Sequence, residues 1–417
     1  MRILWFTNTP SCFKSENGGY NGGGWISSLE KEIKKLKDIE LAICFHSNDN
    51  KFKISQNRAI YYPIYVKKNK FKDLFFTFSQ EYYEKTDYYY IEKYLEVIND
   101  FKPDIINIFG SESNFGLISL YTEIPIILHI QGILTPYLTA FYPPGYSHFS
   151  ELFNSINPIK IAKDLKNYKY WKYRTNREQL IFSNIPYFMG RTEWDKRITN
   201  IYAPNSQYFH CDEILRDNFY TPLKNIKSNN NKLIITSTIS SPLYKGFDTI
   251  LQAAHILKNN LRVDFEWNVY GIKSIKSYEK KFKINAKENN IFIKGIVTEQ
   301  ILSQKLIEST MFVHPSYIDN SPNSICESQI LGCPVIATNV GGIPSLIENY
   351  VDGLLIPTND PYQMAYLIKE LSKNQQLRQN ISKKGIENAE KRHNKTSIIN
   401  NLLNIYRTII YKANNGI

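Results

Sequence analysis

The chain has 417 residues, 42% of them hydrophobic, and its 51 Lys+Arg against 39 Asp+Glu leave a net charge of +12. That length suits two domains with a core each, and apolar runs such as "IPIILHI" and "LIITSTI" fall far short of the ~20 residues of a membrane span. Five cysteines without paired spacing predict reduced thiols in a cytoplasmic protein, and scattered lysines with no zinc-finger, basic-zipper or RNA-binding signature exclude nucleic acid, which leaves an anionic membrane or a phosphorylated substrate as partners.

"MRILWFTNTP" holds a strand buried on both faces and neither the n-region nor the cleavage site of a signal peptide. "NGGYNGGG" follows, and then a helix in "WISSLEKEIKKL", with Trp25, Leu29, Ile33 and Leu36 at helical spacing. "IELAICF", "DIINIF", "IPIILHI" and "IPYFMG" are further short strands. Two segments interrupt the rhythm, 61–94 and 137–177, both rich in aromatics and lysines. They read either as amphipathic helices packing tyrosines on the core or as a basic aromatic surface for a lipid headgroup or polymer. Around 211–231 the sequence turns polar, as an interdomain linker does.

The alternation then restarts. "KLIITST", "VDFEWNVYG", "IFIKG", "MFVHPS", "PVIATN" and "DGLLIP" are predicted strands. "GFDTILQAAHILKN", "SIKSYEKKFKINAKE", "EQILSQKLIEST" and "SPNSICESQILG" are predicted helices, and another closes the chain near 395–413. Strands alternating with helices predict α/β domains with doubly wound parallel sheets, whose ligands sit at the carboxyl ends of the strands. Neither half carries G-x-G-x-x-G after its first strand, which argues against a nicotinamide dehydrogenase.

The chemistry concentrates in "PSYIDNSPNSICESQILGCPVIATNVGG", residues 315–342. With Ser321 or Asn323 as the helix cap, the N–H groups near Asn323, Ser324 and Ile325 would meet an anion. Asp319 precedes that helix and Glu327 sits in its first turns. Two carboxylates flanking an anion site match a nucleotide sugar, with Glu327 on ribose hydroxyls and Asp319 on sugar hydroxyls. The plain alternative is a helix cap with one surface glutamate. "FHCDE" (His210, Cys211, Glu213) is no zinc site, because adjacent side chains do not converge on one ion.

Residues 314–357 resemble the nucleotide-sugar signature of glycosyltransferase family 4. Its pattern is E-x7-E followed by G-x-P-V-I-A and a G-G turn. Glu327, Gly332, Pro334, Val335, Ile336, Gly341 and Gly342 fit it, and Asp319 replaces the first glutamate. The resemblance implies the GT-B fold, two Rossmann-like domains facing across a cleft. Here these would be an acceptor domain over 1–212, a linker over 213–231, a donor domain over 232–394, and a last helix packing back on the first domain. It implies a retaining, metal-independent glycosyltransferase without a cofactor. The sugar would pass from a nucleoside diphosphate to a saccharide or lipid-linked saccharide, in bacterial surface polysaccharide synthesis. The alternatives are a nucleotide-sugar epimerase of the same fold and a non-catalytic binding module.

By the same resemblance Lys245 meets the donor diphosphate. Ser240 stands where the family usually has an arginine, so Arg191, or as second candidate Arg216, would be the substitute cation; each is otherwise an ordinary surface or linker arginine, the reading preferred for Arg216. Gly271, Gly295 and Ile296 would cradle the base. Gln131 or His129 would lie near the anomeric carbon, His129 being as readily a core histidine. Gly22, Gly23 and Gly24 would run under the diphosphate, and Ser111 and Glu112 would line the acceptor side. The charge excess suggests that Lys67, Lys68, Lys70 and Lys72, with Phe71, Phe75 and Phe76, meet an anionic membrane or a lipid-linked acceptor. A solvated loop over a buried aromatic row is the competing reading.

Overall fold

The computed structural model describes residues 1–13, 24–48, 52–66, 79–147, 158–220, 232–240 and 242–416. Gly22, Gly23 and the Lys67–Phe76 stretch lie outside the described residues. The chain divides into two units. The first comprises Met1–Leu138, Ser147–Ile214 and Asn394–Ile417, and the second Thr139–Tyr146 and Leu215–His393. The short piece Thr139–Tyr146 thus groups with the second unit, unlike the sequence-read boundary. Its Gly145 carbonyl accepts a bond from Lys281, whose ammonium also lies 3.4 Å from the centre of the Tyr146 ring.

The first unit is built on β1 (Arg2–Thr7), β2 (Glu40–Ser47), β3 (Ile54–Gln56), β4 (Ala59–Tyr65), β5 (Ile105–Phe109), β6 (Ile126–His129), β7 (Tyr187–Gly190) and β8 (Gln207–His210). They form one sheet in the order β3-β4-β2-β1-β5-β6-β7-β8. All pairings are parallel except β3 with β4. Central strands are covered on both faces, which is why β1 and β5 are apolar apart from Arg2 and Thr7 at the ends of β1 and the buried Asn107 in β5. The flanking helices are α1 (Gly24–Ile33), α2 (Gln80–Phe101), α3 (Leu134–Thr139), α4 (Pro158–Asn184) and α5 (Glu193–Tyr202).

The tyrosine-rich stretch becomes α2, which buries Tyr83, Tyr90 and Tyr94 and exposes Tyr88 and Tyr89. Its buried polar groups are paired. The Tyr94 hydroxyl donates to Asn114 at 2.7 Å, Asn114 donates to Asp87 at 2.9 Å, and Arg177 of α4 grips both Asp87 oxygens at 3.0 and 3.1 Å. A charge this far from water needs such a partner.

The second unit's strands are β9 (Leu233–Thr238), β10 (Phe265–Tyr270), β11 (Ile291–Gly295), β12 (Met311–His314), β13 (Val335–Thr338) and β14 (Leu354–Ile356). They pair in parallel in the order β11-β10-β9-β12-β13-β14. The direction of winding reverses between β9 and β12, the place where such sheets open for a ligand. Around them lie α6 (Phe247–His255), α7 (Lys276–Phe282), α8 (Glu299–Glu308), α9 (Asn323–Ile330), α10 (Pro361–Lys373) and α11 (Gln375–Arg392). Phe247, Ile250, Leu251, Ala254 and Leu257 are fully buried, as their spacing predicts. The helix read over "SIKSYEKKFKINAKE" is shorter than expected, because Lys283 takes a left-handed conformation (φ 55°) and ends α7.

The last helix, α12 (Lys395–Asn415), belongs to the first unit and buries Ile398, Leu402, Ile405, Tyr406 and Ile409 there. Its Asn401 amide donates to the His210 carbonyl at the end of β8, 2.8 Å away.

Candidate functional site

A cavity of about 550 Å³ opens at the carboxyl ends of β9, β10, β11 and β12. Its wall runs from Thr238–Ser240 and Lys245, past Tyr270–Gly271 and Ile296–Val297, to His314, Asp319 and Pro322–Ser324. Seven residues singled out in the sequence therefore meet on one surface: Lys245, Gly271, Ile296, Asp319, Asn323, Ser324 and the substituted Ser240.

Two glycines hold the Asp319 loop. Gly246, at φ 76°, lies so close to the Pro315 carbonyl that a Cβ would stand 2.1 Å from its oxygen. Gly341, at φ 53°, lies equally close to the Asp319 carbonyl, where a Cβ would stand 1.9 Å from the oxygen. The Gly342 N–H donates to that same oxygen at 3.0 Å. The Gly-Gly turn after β13 thus clamps the backbone of the acidic loop, a close approach open to residues without a Cβ.

Clamped there, the Asp319 carboxylate accepts from Lys245 Nζ at 2.7 Å and His314 Nε2 at 3.0 Å. Burial by itself would push its pKa up. The adjacent Lys245 ammonium and the His314 bond outweigh that and hold the carboxyl well below the usual range. His314 is buried, and desolvation lowers its pKa, so the ring is neutral near pH 7. Asp319 is therefore the anchor of Lys245, and its sequence-read role on sugar hydroxyls is not what its present partners serve.

The helix start differs from expectation. Pro322 occupies the cap of α9, and no side chain caps it. The Ile325 N–H bonds the Pro322 carbonyl at 3.0 Å and its side chain is fully buried, which removes Ile325 from the anion site. Glu327 does not line the cavity either. It is 2% exposed and receives Arg216 in a two-point bond, Nε to Oε1 and a terminal nitrogen to Oε2, both 2.7 Å. Burial raises the pKa of Glu327, and Arg216 works against that rise. Gly271 needs its bare backbone, since a Cβ would approach the Ile239 carbonyl oxygen to 2.6 Å, and its N–H donates to the Gly295 carbonyl at 2.7 Å. Ile296 is 61% exposed at the lip.

In the first unit the predicted residues gather at the carboxyl ends of β5 and β6 but not all face outward. Ser111 is buried, and its hydroxyl donates to the buried Glu178, which also accepts the Leu134 and Thr135 N–H groups opening α3 at 2.9 and 3.1 Å. Ser111 is thus spent inside and does not line a binding surface. Glu178 escaped notice in the sequence, since nothing in "NREQL" marks it. The Glu112 carboxyl folds back over Gly110 and Gly132, and a Cβ on Gly110 would strike it at 2.0 Å. Burial, with the nearby Glu178 charge, pushes its pKa up to about 7.

His129 is buried between Trp25 and Phe109, neither ring nitrogen has a hydrogen-bond partner, and desolvation keeps it uncharged. Gln131 is half-buried and accepts from Trp25 Nε1 at 3.1 Å. Arg191 does not offer a surface cation. It is 5% exposed, ion-paired to the buried Glu213, and stacked over Trp25. Gly24 opens α1 at φ 55° with open space around it. His210 pairs with Asp212 rather than with Glu213, and among the described residues no three side chains converge as metal ligands.

Comparison with known proteins bears on this geometry. The family model "Glycosyl transferases group 1" matches residues 222–388. The amylovoran biosynthesis glycosyltransferase AmsK of Erwinia amylovora is 26% identical over 165 residues, 38% of this chain and 38% of its own length. An Escherichia coli UDP-Gal:alpha-D-GlcNAc-diphosphoundecaprenol alpha-1,3-galactosyltransferase is 30% identical over 111 residues, 26% of this chain and 28% of its own. The chain thus matches well under half the length of either relative. Sucrose-phosphate synthase from Thermosynechococcus elongatus superposes with a TM-score of 0.74 at 14% identity, covering 98% of this chain and 99% of that one, a likeness of fold. Residues 222–388 therefore match the group 1 glycosyl transferase model, in a chain whose two α/β units have the GT-B fold.

Proposed function

We propose that this protein transfers a sugar from a nucleoside diphosphate to a saccharide or lipid-linked saccharide, in the synthesis of a bacterial surface polysaccharide. The observation that carries the proposal is the cavity at the strand ends, with an anchored Lys245 beside the start of α9. Departure of the diphosphate builds negative charge, and a pre-positioned cation with helix N–H groups stabilises it without rearrangement. In this reading Lys245 takes the place of a metal, and no cofactor is required. Asp319 is tied to Lys245 and is no glycosidase-type nucleophile. Retention by front-face attack, with a leaving phosphate oxygen as base, follows from the family resemblance. The relative named for UDP-galactose and a diphosphoundecaprenol acceptor supports a uridine donor and a lipid-linked acceptor.

The test is a panel of nucleoside diphosphate sugars incubated with the protein and no acceptor. Slow hydrolysis, surviving a chelator, is expected. Epimerised sugar would favour the epimerase, and a panel with neither turnover nor thermal stabilisation would overturn the assignment. A ligand at 100 times its Kd stabilises by about 2.7 kcal/mol, well within reach of a melt.

We also place the first unit against an anionic membrane. Helix α4 exposes Lys163, Lys169 and Lys172 beside Tyr170, the chemistry of a headgroup contact. Among the described residues no helix is long and apolar enough to cross a membrane. Co-sedimentation with anionic but not neutral vesicles, lost at high salt, is the expected result.

A further inference from the structure

We infer that the lysine face of residues 273–287, in the second unit, binds an anionic polysaccharide. The choice of a glycan rests on the proposed function and names the class of its acceptor, whereas the binding face itself stands without that reading. The segment "KSIKSYEKKFKINAK" carries six lysines against one glutamate. It begins two residues beyond Gly271, which lines the cavity.

Helix α7 turns its apolar side inward. Tyr278 is buried, and Ile275 and Phe282 pack against the same core. Lys276 and Lys280 lie one turn apart on the opposite face and are exposed, as are Lys273 before the helix and Lys283 and Lys287 after it. Among the described residues none of these five ammonium groups has a hydrogen-bond or ion-pair partner. The neighbouring charges do not cancel them. Glu279 turns back to accept the Ala286 N–H at 2.8 Å, and Lys281 is taken up by the Gly145 carbonyl and the Tyr146 ring. Glu288 is an exposed acid at the far end, but its carbonyl accepts from Lys258, which brings in another ammonium.

The chemistry of this face selects its occupant. Lysine ammonium groups on flexible stems meet anions as point charges. Cβ atoms four residues apart on a helix lie about 5–6 Å from each other, close to the length of one sugar residue in an extended chain. A polysaccharide with an acid on successive residues therefore meets successive lysines. Among the described residues no large hydrophobic side chain is exposed between residues 272 and 290. A bilayer contact anchored by insertion and the stacking of nucleic-acid bases both use such side chains. Helix α4 differs on this point, since Tyr170 is exposed beside its lysines.

The experiment measures binding of the full chain to oligogalacturonate, dextran sulfate and neutral dextran by fluorescence anisotropy, at low and high salt, with thermal melts as a check on folding. The galacturonate presents carboxylates, and the sulfate stands in for singly charged phosphodiesters. Wild type is expected to bind at least one acidic polymer, to ignore dextran, and to lose affinity as salt rises. Lys276→Gln with Lys280→Gln should weaken that binding about 10–30-fold at low salt. Lys383→Gln with Lys391→Gln removes the same charge from α11, which follows β14 at the opposite edge of the sheet, and should leave affinity within about two-fold of wild type. Equal weakening by both pairs would be a response to net charge alone and would overturn the inference, as would no binding to either acidic polymer. Tighter binding to a thymidine oligonucleotide or to phosphatidylglycerol vesicles, lost with Lys276→Gln and Lys280→Gln, would give the face to another partner and overturn it as well. Donor turnover without polymer binding defeats this inference alone, and polymer binding without turnover of any nucleotide sugar defeats the proposed function.

Discussion

Replacing Gly341 by alanine tests whether the Gly-Gly turn sets the position of Asp319 and, through it, Lys245. Two costs add. An alanine held at φ 53° occupies the left-handed region, worth about 1–2 kcal/mol. Its Cβ would also stand 1.9 Å from the Asp319 carbonyl oxygen, a backbone atom that no rotamer change can move aside. Overpacking of this kind costs about 1–3 kcal/mol. The expected loss is about 2–5 kcal/mol, or roughly 5–15 °C in Tm for a unit of this size. Relief of the contact moves the loop by roughly 1 Å, enough to cost turnover as much as about 10²-fold. Gly145→Ala separates strain from clash, because Gly145 has φ 81° and open space where its Cβ would lie. Thermal melts of both variants, with and without UDP, and donor turnover give the answer. A Gly341→Ala protein that melts with Gly145→Ala and turns over like wild type would refute the clamp.

Lys245→Ala should lower turnover about 10²-fold while leaving uridine binding nearly unchanged, because the charge it meets grows toward the transition state. Steady-state kinetics with calorimetry check this, and near-normal turnover would remove Lys245 from the chemistry. Arg191→Met should destabilise the protein by about 3–5 kcal/mol, since it strands the buried Glu213 carboxylate. An unchanged melt with lost turnover would instead return Arg191 to the role of diphosphate cation. Glu112, with its pKa raised to about 7 in the folded state, binds its proton more tightly folded than unfolded. Its contribution is therefore full below the ordinary carboxylate range and lost as pH rises through about 7. Wild type should lose Tm between about pH 5 and 8 relative to Glu112→Gln, and parallel profiles would contradict the shift.

The interior strands were legible because each is an apolar run between turn residues, and β1, β5, β6, β7 and β9–β14 fall within two residues or so of their sequence-read positions. The edges were not. The β4 segment "AIYYPIY" contains Pro63, which argues against a strand; it is tolerated because β3 pairs with Ala59–Tyr61 and stops short of it. Strand β8 is only partly buried and lacks the apolar signature. Helix α11 buries just Ile381, Gly385 and Ala389 along eighteen residues, so no stripe announces it. At the site, Asp319 stood out as an acid in the loop before a predicted helix, and the family resemblance pointed to Lys245 and the glycines. The partnerships of Arg216 with Glu327 and of Arg191 with Glu213 join residues 111 and 22 positions apart, and no periodicity links such pairs.

Both carboxylates of the acidic motif are thus already paired, Asp319 with Lys245 and Glu327 with Arg216. Each is buried enough that an unpaired charge would cost several kcal/mol, roughly 3–5 when a partner is removed. The same pairing has a consequence for catalysis under the proposed function. A Lys245 ammonium already bonded to Asp319 gains less from a ground-state diphosphate than a solitary lysine would, because its charge is partly answered. As the glycosidic bond breaks and charge collects on the leaving oxygen, the balance shifts from Asp319 toward the phosphate. An interaction that strengthens in the transition state raises turnover, whereas one equally strong in both states only tightens binding. Under the proposed function, the aspartate at this position therefore bears on turnover through the Lys245 ammonium that it holds.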